Sequence, residues 1–502
     1  MALRTTEPTN TSLPRPFRRC PSRGAGGSEG EGPDTDLVRT LRLPFTHQVA
    51  QHPLDGTGWT APGGRHPPHA AHPPVSHTSD RRAFRARPRV RPYTPVVQPP
   101  IRPFVRRGVE GTPISPPATI GILGGGQLGR MLALAARAMG DRIAVLDPDP
   151  DCPTACVADR VIVGGYDDVD AALRLAEASD VVTYELEHVA LAVVQAVDAV
   201  APVRPGRLPL SVTQDRLAER RFVEATGLPV APWREVSTPE DLSAAGEQLG
   251  LPLRLKAPIG GYDGRSQLRL VTPEDIPTAL ARLGRPPGTP LLVEAEVAFD
   301  VEISVIVVRN VHGRTRTFPI ARNIHDQGIL AESVAPAPVS DAIHVAAVDI
   351  GERLAVAMDL TGTLTVELFV MPDGRLVVNE LAPRVHNSGH WTLDGAATSQ
   401  FEQHIRAICG LDLGATDALA PAAMVNLWGR GQLRLARLAP ASLDRALRDP
   451  TVHLHLYDKQ MVFERRKMGH ITATGVDLDA ALTSARAARD ILQWLDEEGV
   501  EG

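Results

Sequence analysis

The 502-residue sequence predicts a multi-domain α/β protein, on three observations. Apolar strand-like runs alternate with amphipathic helical stretches from Ala118 onward. Closely spaced strands with glycine-rich turns follow from Leu251, and a smaller strand-rich region after residue 420 ends in a helix. Four domains are expected: an extension over 1–117, a Rossmann-like domain over 118–212, a central two-part domain over 213–415 and a C-terminal domain over 416–502.

The first 118 residues carry nearly half of the 45 prolines, 17 arginines, eight acids and no lysine. Their net charge is +9, which leaves −15 on the remainder of a chain of net charge −6. Such a segment has no hydrophobic periodicity and predicts disorder rather than a packed core. A start codon set upstream of the true one is its plainest origin, with Val105 or Val109 as alternative starts. An organellar leader would need an amphipathic helix, which the prolines oppose, and a basic tail for nucleic acid is the third reading. No function is attached to it.

The rest of the composition excludes whole classes. The longest apolar run, Val189–Ala201, is interrupted by Gln195 and Asp198 and is too short to span a bilayer. Cys20, Cys152, Cys156 and Cys409 form neither a CxxC pair nor a disulfide framework, so a reducing, cytoplasmic setting is expected. Neither a nucleic-acid nor a membrane partner is expected. Only three lysines stand against fifty arginines: Lys256, Lys459 and Lys467. A compact ammonium and a planar guanidinium are not interchangeable, so these three mark candidate anion sites.

From Ala118 the elements run in order. ATIGILGG reads as a strand, QLGRMLALAARAMG as a helix, and DRIAVLD, VADRVIVG and DVVTYELEHV as further strands, with a helix around Asp170–Ala178. The pattern is βαβ, hence a mostly parallel sheet. A helix over Ser211–Val223 carries Asp215 and Arg216, and an antiparallel subdomain spans Leu251–Ile306.

Five motifs carry chemistry. Gly124-x-Gly126-x-x-Gly129 lies between strand and helix, with Asp147 where a ribose-binding acid would sit, and taken alone it reads as a dinucleotide loop. LRLKAPIGGYDGRSQLRL places Lys256 at the end of a strand beside a loop rich in glycine. Backbone N–H groups and a point cation hold polyphosphate in this way, and no GxxxxGK[ST] loop is present. In LTVELFVMPDGRLVVNELAPR, Pro372-Asp373-Gly374 signals a hairpin. Centring its turn on Asp373–Gly374 sets Glu367 opposite Glu380. Facing carboxylates repel unless a cation lies between them, and oxygen ligands near phosphate favour Mg²⁺. Asn379 is adjacent. The polar loop RVHNSGHWT follows directly, and YDKQMVFERRKMGH gathers the other two lysines with Arg465 and Arg466.

Taken in order, GGGQLGRM, GGYDGR, NELAPRVHNSGHWT, SQFEQH and HLHLYDK resemble the ATP-grasp family, and within it the purine-pathway 5-(carboxyamino)imidazole ribonucleotide synthases, from about Ile120 to His470. The resemblance implies an ATP-grasp fold and a ligase that uses ATP, bicarbonate and 5-aminoimidazole ribonucleotide, with Mg²⁺ or Mn²⁺, in a homodimer. It implies ATP contacts from Arg216, Lys256, Gly261, Tyr262, Asp263, Gly264, Arg265, Ser266 and Gln267. Further ATP contacts come from the hinge Glu294, Ala295, Glu296 and Val297, from Glu302 as ribose acceptor, and from His325, Asn379 and Glu380. Glu367 and Glu380 would hold the metal. Gln127, Glu187, Arg384, His386, Asn387, Ser388, Lys459, Arg466 and Lys467 would meet the ribonucleotide, and Asp263, Arg265 and Lys459 would act in catalysis. Ile259, Ser266 in place of a usual glycine, and FERRK depart from the family pattern, so either Arg465 or Arg466 is the phosphate contact. Another ATP-grasp carboxylase, an NAD(P)-dependent oxidoreductase and an inactive nucleotide-binding protein stand as alternatives.

Overall fold

The computed structural model describes residues 112–260, 266–283, 288–434 (backbone alone at 433 and 434) and 437–495. All lie within one compact unit, Pro95–Gly502. The extension expected over 1–117 falls outside them but for its last six residues.

The first layer is a parallel sheet in the order β3-β2-β1-β4, built from β1 (Thr119–Leu123), β2 (Arg142–Asp147), β3 (Arg160–Val163) and β4 (Val181–Tyr184). Crossovers include α1 (Gln127–Ala138) and α2 (Val169–Glu177), and α3 (Leu191–Asp198) follows β4. β1, β2 and β4 are almost wholly buried, as strands covered on both faces must be. The single helix expected over Ser211–Val223 is in fact two, α4 (Arg207–Thr213) and α5 (Arg216–Ala225). Asp215 breaks it: its backbone is extended and its carboxylate accepts the N–H groups of Leu217 and Ala218, starting a new helix.

The antiparallel subdomain is a four-stranded sheet, order β5-β8-β6-β7, from β5 (Trp233–Val236), β6 (Leu253–Lys256), β7 (Gln267–Leu270) and β8 (Leu291–Ala295). Helices α6 (Pro239–Leu249) and α7 (Ile276–Arg282) pack on it through Leu242, Ala245, Ile276 and Ala279. It stops short of the expected Ile306, because β9 (Val301–Arg309) joins a different sheet.

That sheet has nine strands. β10 (Thr315–Thr317) pairs with β9, and the main order is β14-β13-β9-β11-β12-β15-β20-β18. Its members are β11 (Ala321–Asp326), β12 (Ile329–Ala335), β13 (Gly362–Val370), β14 (Leu376–Ala382), β15 (Ala422–Trp428), β18 (Val452–Leu456) and β20 (Lys467–Thr474). Short pairs β16 (Gln432–Arg434) with β19 (Met461–Phe463), and β17 (Arg437–Leu438) with β21 (Trp494–Leu495), flank it. The sheet crosses residue 415 without interruption, since β12 pairs directly with β15.

Period-two alternation gives this sheet two unlike faces. Ile303, Val305, Val307, Val366 and Leu368 bury one face against α8 (Asp341–Ala357). Gly351 permits the contact, because a Cβ there would meet Val305 and Val307 within 2.9 Å. The alternate residues Glu302, Ser304 and Glu367 turn the other way and form the floor of a polar cleft. Helices α9 (Thr392–Gly395) and α10 (Gln400–Ile408) follow the second strand of the hairpin, and α11 (Pro440–Ala446) and α12 (Leu478–Ile491) cover the C-terminal strands. Arg486 and Arg489 of α12 clamp Glu332 on β12.

Candidate active site

The hairpin β13–β14 does set Glu367 directly opposite Glu380, though by another route than a two-residue turn. Met371 and Arg375 close a three-residue turn through Pro372, Asp373 and Gly374, whose φ of 81° suits glycine. That turn aligns Leu368 with Val378, which would leave Glu367 facing Asn379. A β-bulge between Glu367 and Leu368 shifts the register by one and brings Glu380 into place. Burial pushes the Glu367 carboxyl well above the ordinary range, and Glu302 and Glu380 add to this, while Lys467 and Arg384 oppose it. Burial likewise lifts Glu302 to about 7, with Glu380 contributing and an Asn323 hydrogen bond opposing. Glu302 Oε1 lies 3.5 Å from His325 Nδ1 and 3.4 Å from Asn323 Nδ2. Three carboxylates on one floor fit a divalent cation chemically: Glu367 and Glu380 would hold Mg²⁺, which offsets their repulsion.

Lys256 stands where β6 meets the glycine loop, with Nζ 2.5 Å from Glu294 Oε2. Arg220 holds the other oxygen of that carboxylate at 2.5 Å, and it also donates to Glu219 (2.8 Å) and to the Asn379 carbonyl (2.6 Å). Although burial pushes Glu294 up, Arg220 and Lys256 outweigh it and hold the carboxyl at about 2. Glu219 accepts the Leu381 N–H, and burial raises it to about 7. Thus one buried arginine links the lysine strand, the hinge strand and the metal strand. Sequence reasoning missed Glu219 and Arg220; the signal was two charges lying on the apolar stripe between Leu217 and Val223.

Arg216 donates to the carbonyls of Ala257 and Gly260, anchoring the near side of the glycine loop. Of that loop, Gly261, Tyr262, Asp263, Gly264 and Arg265 lie outside the described residues. Ser266 has φ 66°, a conformation that suits the glycine it replaces, and Gln267 pairs with Lys256 across β6–β7. In the hinge, Glu296 is held by Arg254 and Arg269, Ala295 ends β8, and Val297 is half-buried.

The expected substrate residues gather in pairs. Lys459 Nζ donates to Gln127 Oε1 at 2.7 Å across 332 positions of sequence, and to the Lys467 carbonyl at 2.7 Å. Glu187 and Arg384 meet at 2.7 Å. Burial pulls Arg384 down, but Glu187 and then Glu380 more than offset it. His386 Nε2 lies 3.7 Å from Glu367 Oε1, and burial, reinforced by Arg384 and Lys467, keeps its imidazole neutral. Ser388 is fully buried with its hydroxyl on His386 Nδ1, and both side-chain polar atoms of buried Asn387 have no protein partner. Arg466 stacks on Phe463, whereas Arg465 stacks on Trp428 and pairs with Asp326.

The glycine loop after β1 is already filled. Glu185 accepts the N–H groups of Gly126 (2.5 Å) and Gly129 (2.6 Å) at the start of α1. Asp147 accepts from Gly125 and from the Tyr166 hydroxyl. A phosphate would compete with the protein's own carboxylate there, so this loop does not serve as a dinucleotide site. The signal missed was the acid immediately after β4.

Three family models match along the chain: a ribonucleotide synthetase preATP-grasp domain over 117–214, an ATP-grasp domain over 221–401, and a phosphoribosylaminoimidazole carboxylase C-terminal domain over 422–484. N5-carboxyaminoimidazole ribonucleotide synthase of Bacillus subtilis is 45% identical over 359 residues, covering 72% of this chain and 92% of that one. The Brucella melitensis enzyme of the same name is 43% identical, covering 72% and 98%. Among solved structures, an N5-carboxyaminoimidazole ribonucleotide synthetase in complex with ADP is 44% identical with a TM-score of 0.70, covering 76% of this chain and 98% of that one. The Aspergillus clavatus enzyme in complex with ADP and 5-aminoimidazole ribonucleotide is 33% identical with a TM-score of 0.68, covering 75% and 98%. With the facing carboxylates, the buried lysine network and these matches in register, the chain belongs to the N5-carboxyaminoimidazole ribonucleotide synthase family of ATP-grasp ligases.

Proposed function

We propose that this chain carboxylates the amino group of 5-aminoimidazole ribonucleotide, using ATP and bicarbonate and releasing ADP and phosphate, in de novo purine biosynthesis. The observation that carries this is Glu367 facing Glu380 on a floor that also feels Arg384 and Lys467. Metal carboxylates and acceptor cations thus share one cleft.

Bicarbonate is a poor electrophile. An oxygen of bicarbonate attacks the γ-phosphorus, the bond to the β–γ bridging oxygen breaks, and ADP leaves with carboxyphosphate formed. Carboxyphosphate then releases phosphate and CO₂, whose carbon takes the lone pair of the amine while the nitrogen loses a proton. Mg²⁺, when bound, neutralises charge on the transferring phosphoryl group. The chain's own part is positional. Lys256, fixed by Glu294 and Arg220, presents its ammonium toward the nucleotide phosphates, with Arg216, Ser266, Gln267, His325, Asn379 and the hinge 294–297 around the nucleotide and Glu302 on its ribose. Gln127 and Lys459, with Arg466 and Lys467, form the seat for the ribonucleotide phosphate, and Glu187, Arg384, His386, Asn387 and Ser388 line the acceptor side. Asp263 and Arg265 are the proposed groups for work on bicarbonate and the amine.

The proposed domains remain 118–212, 213–415 and 416–502, and the proposed assembly is a cytoplasmic homodimer. No helix among the described residues is long and apolar enough to cross a membrane. The test is phosphate release from ATP with bicarbonate and 5-aminoimidazole ribonucleotide each present or withheld. Dependence on both is expected. Release that ignores the ribonucleotide would mean a different acceptor.

A further inference from the structure

We propose that Glu302, His325 and Glu367 form, in the nucleotide-free enzyme, a chelating site for a borderline divalent cation of the Zn²⁺ class, and that this cation and the adenine nucleoside exclude one another.

The three side chains come from three consecutive strands of the large sheet, β11, β9 and β13. One ligand atom from each lies within 4.8 Å of the others. His325 Nδ1 is already 3.5 Å from Glu302 Oε1. Two ligands each about 2.1 Å from a tetrahedral zinc stand about 3.4 Å apart, so this pair needs almost no movement. A bulge between Ile324 and His325 shifts the β11 register just where the histidine must reach across to Glu302. Asn323, which itself accepts from Ser333, donates to Ser304 (2.5 Å) and toward Glu302, fixing the carboxylate from behind.

The donor set is what separates this site from the Mg²⁺ pair. Mg²⁺ asks for an octahedron of oxygens, which Glu367 and Glu380 can begin and substrate phosphates complete. One imidazole with two carboxylates favours a softer ion such as Zn²⁺. Glu367 belongs to both sets, and Glu302 is the proposed ribose acceptor. A zinc ion here would therefore remove a magnesium ligand and a nucleoside contact in one event. The exclusion half of this inference rests on the ribose assignment proposed above.

The experiment uses the full-length enzyme stripped of metal and titrated with Zn²⁺ against a chromophoric zinc indicator, with adenosine as competitor. Adenosine has no phosphates to sequester zinc, so any competition occurs on the protein. Expected are zinc binding weakened about tenfold or more in His325→Ala, and an apparent zinc affinity that falls as adenosine is added. His325→Gln, which keeps the side-chain volume, replaces the alanine variant if circular dichroism shows the latter unfolded. Zinc affinity unchanged by the His325 substitution, or unchanged by saturating adenosine, overturns the proposal. Ribonucleotide-dependent phosphate release in zinc-free buffer is measured alongside. Its absence would overturn the functional reading and leave the zinc result standing on its own.

Discussion

Lys256 and Arg220 grip opposite oxygens of one carboxylate: Glu294 Oε2 lies 2.5 Å from the lysine Nζ and Oε1 lies 2.5 Å from the arginine Nε. A planar, branched guanidinium would not repeat this compact single-point contact. Lys256→Arg keeps the charge and should still raise the KM for ATP about tenfold, or about 1.4 kcal/mol. Steady-state kinetics with varied ATP check this, and an unchanged KM would mean that the scarcity of lysine reflects codon bias alone.

Glu367 and Glu380 face each other across one ladder position. On the proposed assignment, removing either carboxylate removes a metal ligand and also a repulsion. Glu380→Gln should therefore lower turnover about a thousandfold or more, while the melting temperature without metal stays level or rises. Thermal unfolding with and without Mg²⁺ shows both sides, and near-normal turnover would refute the metal assignment.

Burial lifts Glu302 to about 7 from an ordinary 4.5. The folded protein then holds this proton more tightly than the unfolded chain. The stabilisation is full below the unfolded value and is lost as pH rises through about 7. Between about pH 4.5 and 7 the metal-free enzyme should lose melting temperature relative to Glu302→Gln, with the difference levelling off above about 7, and Mg²⁺ should flatten it. Parallel slopes for the two proteins would contradict the prediction.

Lys459 donates to Gln127 and to the Lys467 carbonyl, which hold its ammonium at the proposed seat of the ribonucleotide phosphate. A hydrogen bond to a charged partner contributes about 1.5–3 kcal/mol. Lys459→Met should raise the KM for the ribonucleotide about tenfold to a hundredfold and leave the KM for ATP within about twofold. Equal changes in both would show that the lysine supports the whole cleft rather than one substrate.

How much of this was legible in the sequence depended on range. The βαβ start, the antiparallel subdomain and the Glu367–Glu380 opposition follow from local periodicity and turn chemistry. Even there, the opposition came through a bulge and a three-residue turn rather than through the simple register. The break at Asp215 was hidden because an N-cap aspartate and a mid-helix aspartate look alike in a helical pattern. The roles of Glu185 and Arg220 were hidden for a different reason, although each left a faint local signal. Glu185 meets partners at least 56 positions away, and Arg220 reaches Glu294 and Asn379 across 74 and 159 positions, and no local spacing encodes such meetings. The first glycine motif misled because its N–H groups find their anion inside the fold.

The hydrogen-bonded run from β14 to β18 has a mechanical consequence. The carboxylate pair sits near one margin of a single plate and the strand bearing Lys467 near the other, joined by ladders through β13, β9, β11, β12 and β15. Neither station can drift against the other without breaking several hydrogen bonds at once. The spacing between the proposed metal pair and the proposed phosphate-binding strand is therefore set when the chain folds, like the jaws of a fixed gauge. The smaller sheet that carries Lys256 lies outside this plate, joined to it on one side through residues 296–300 and tied to it on the other by Val230, which bridges to Val378 of β14.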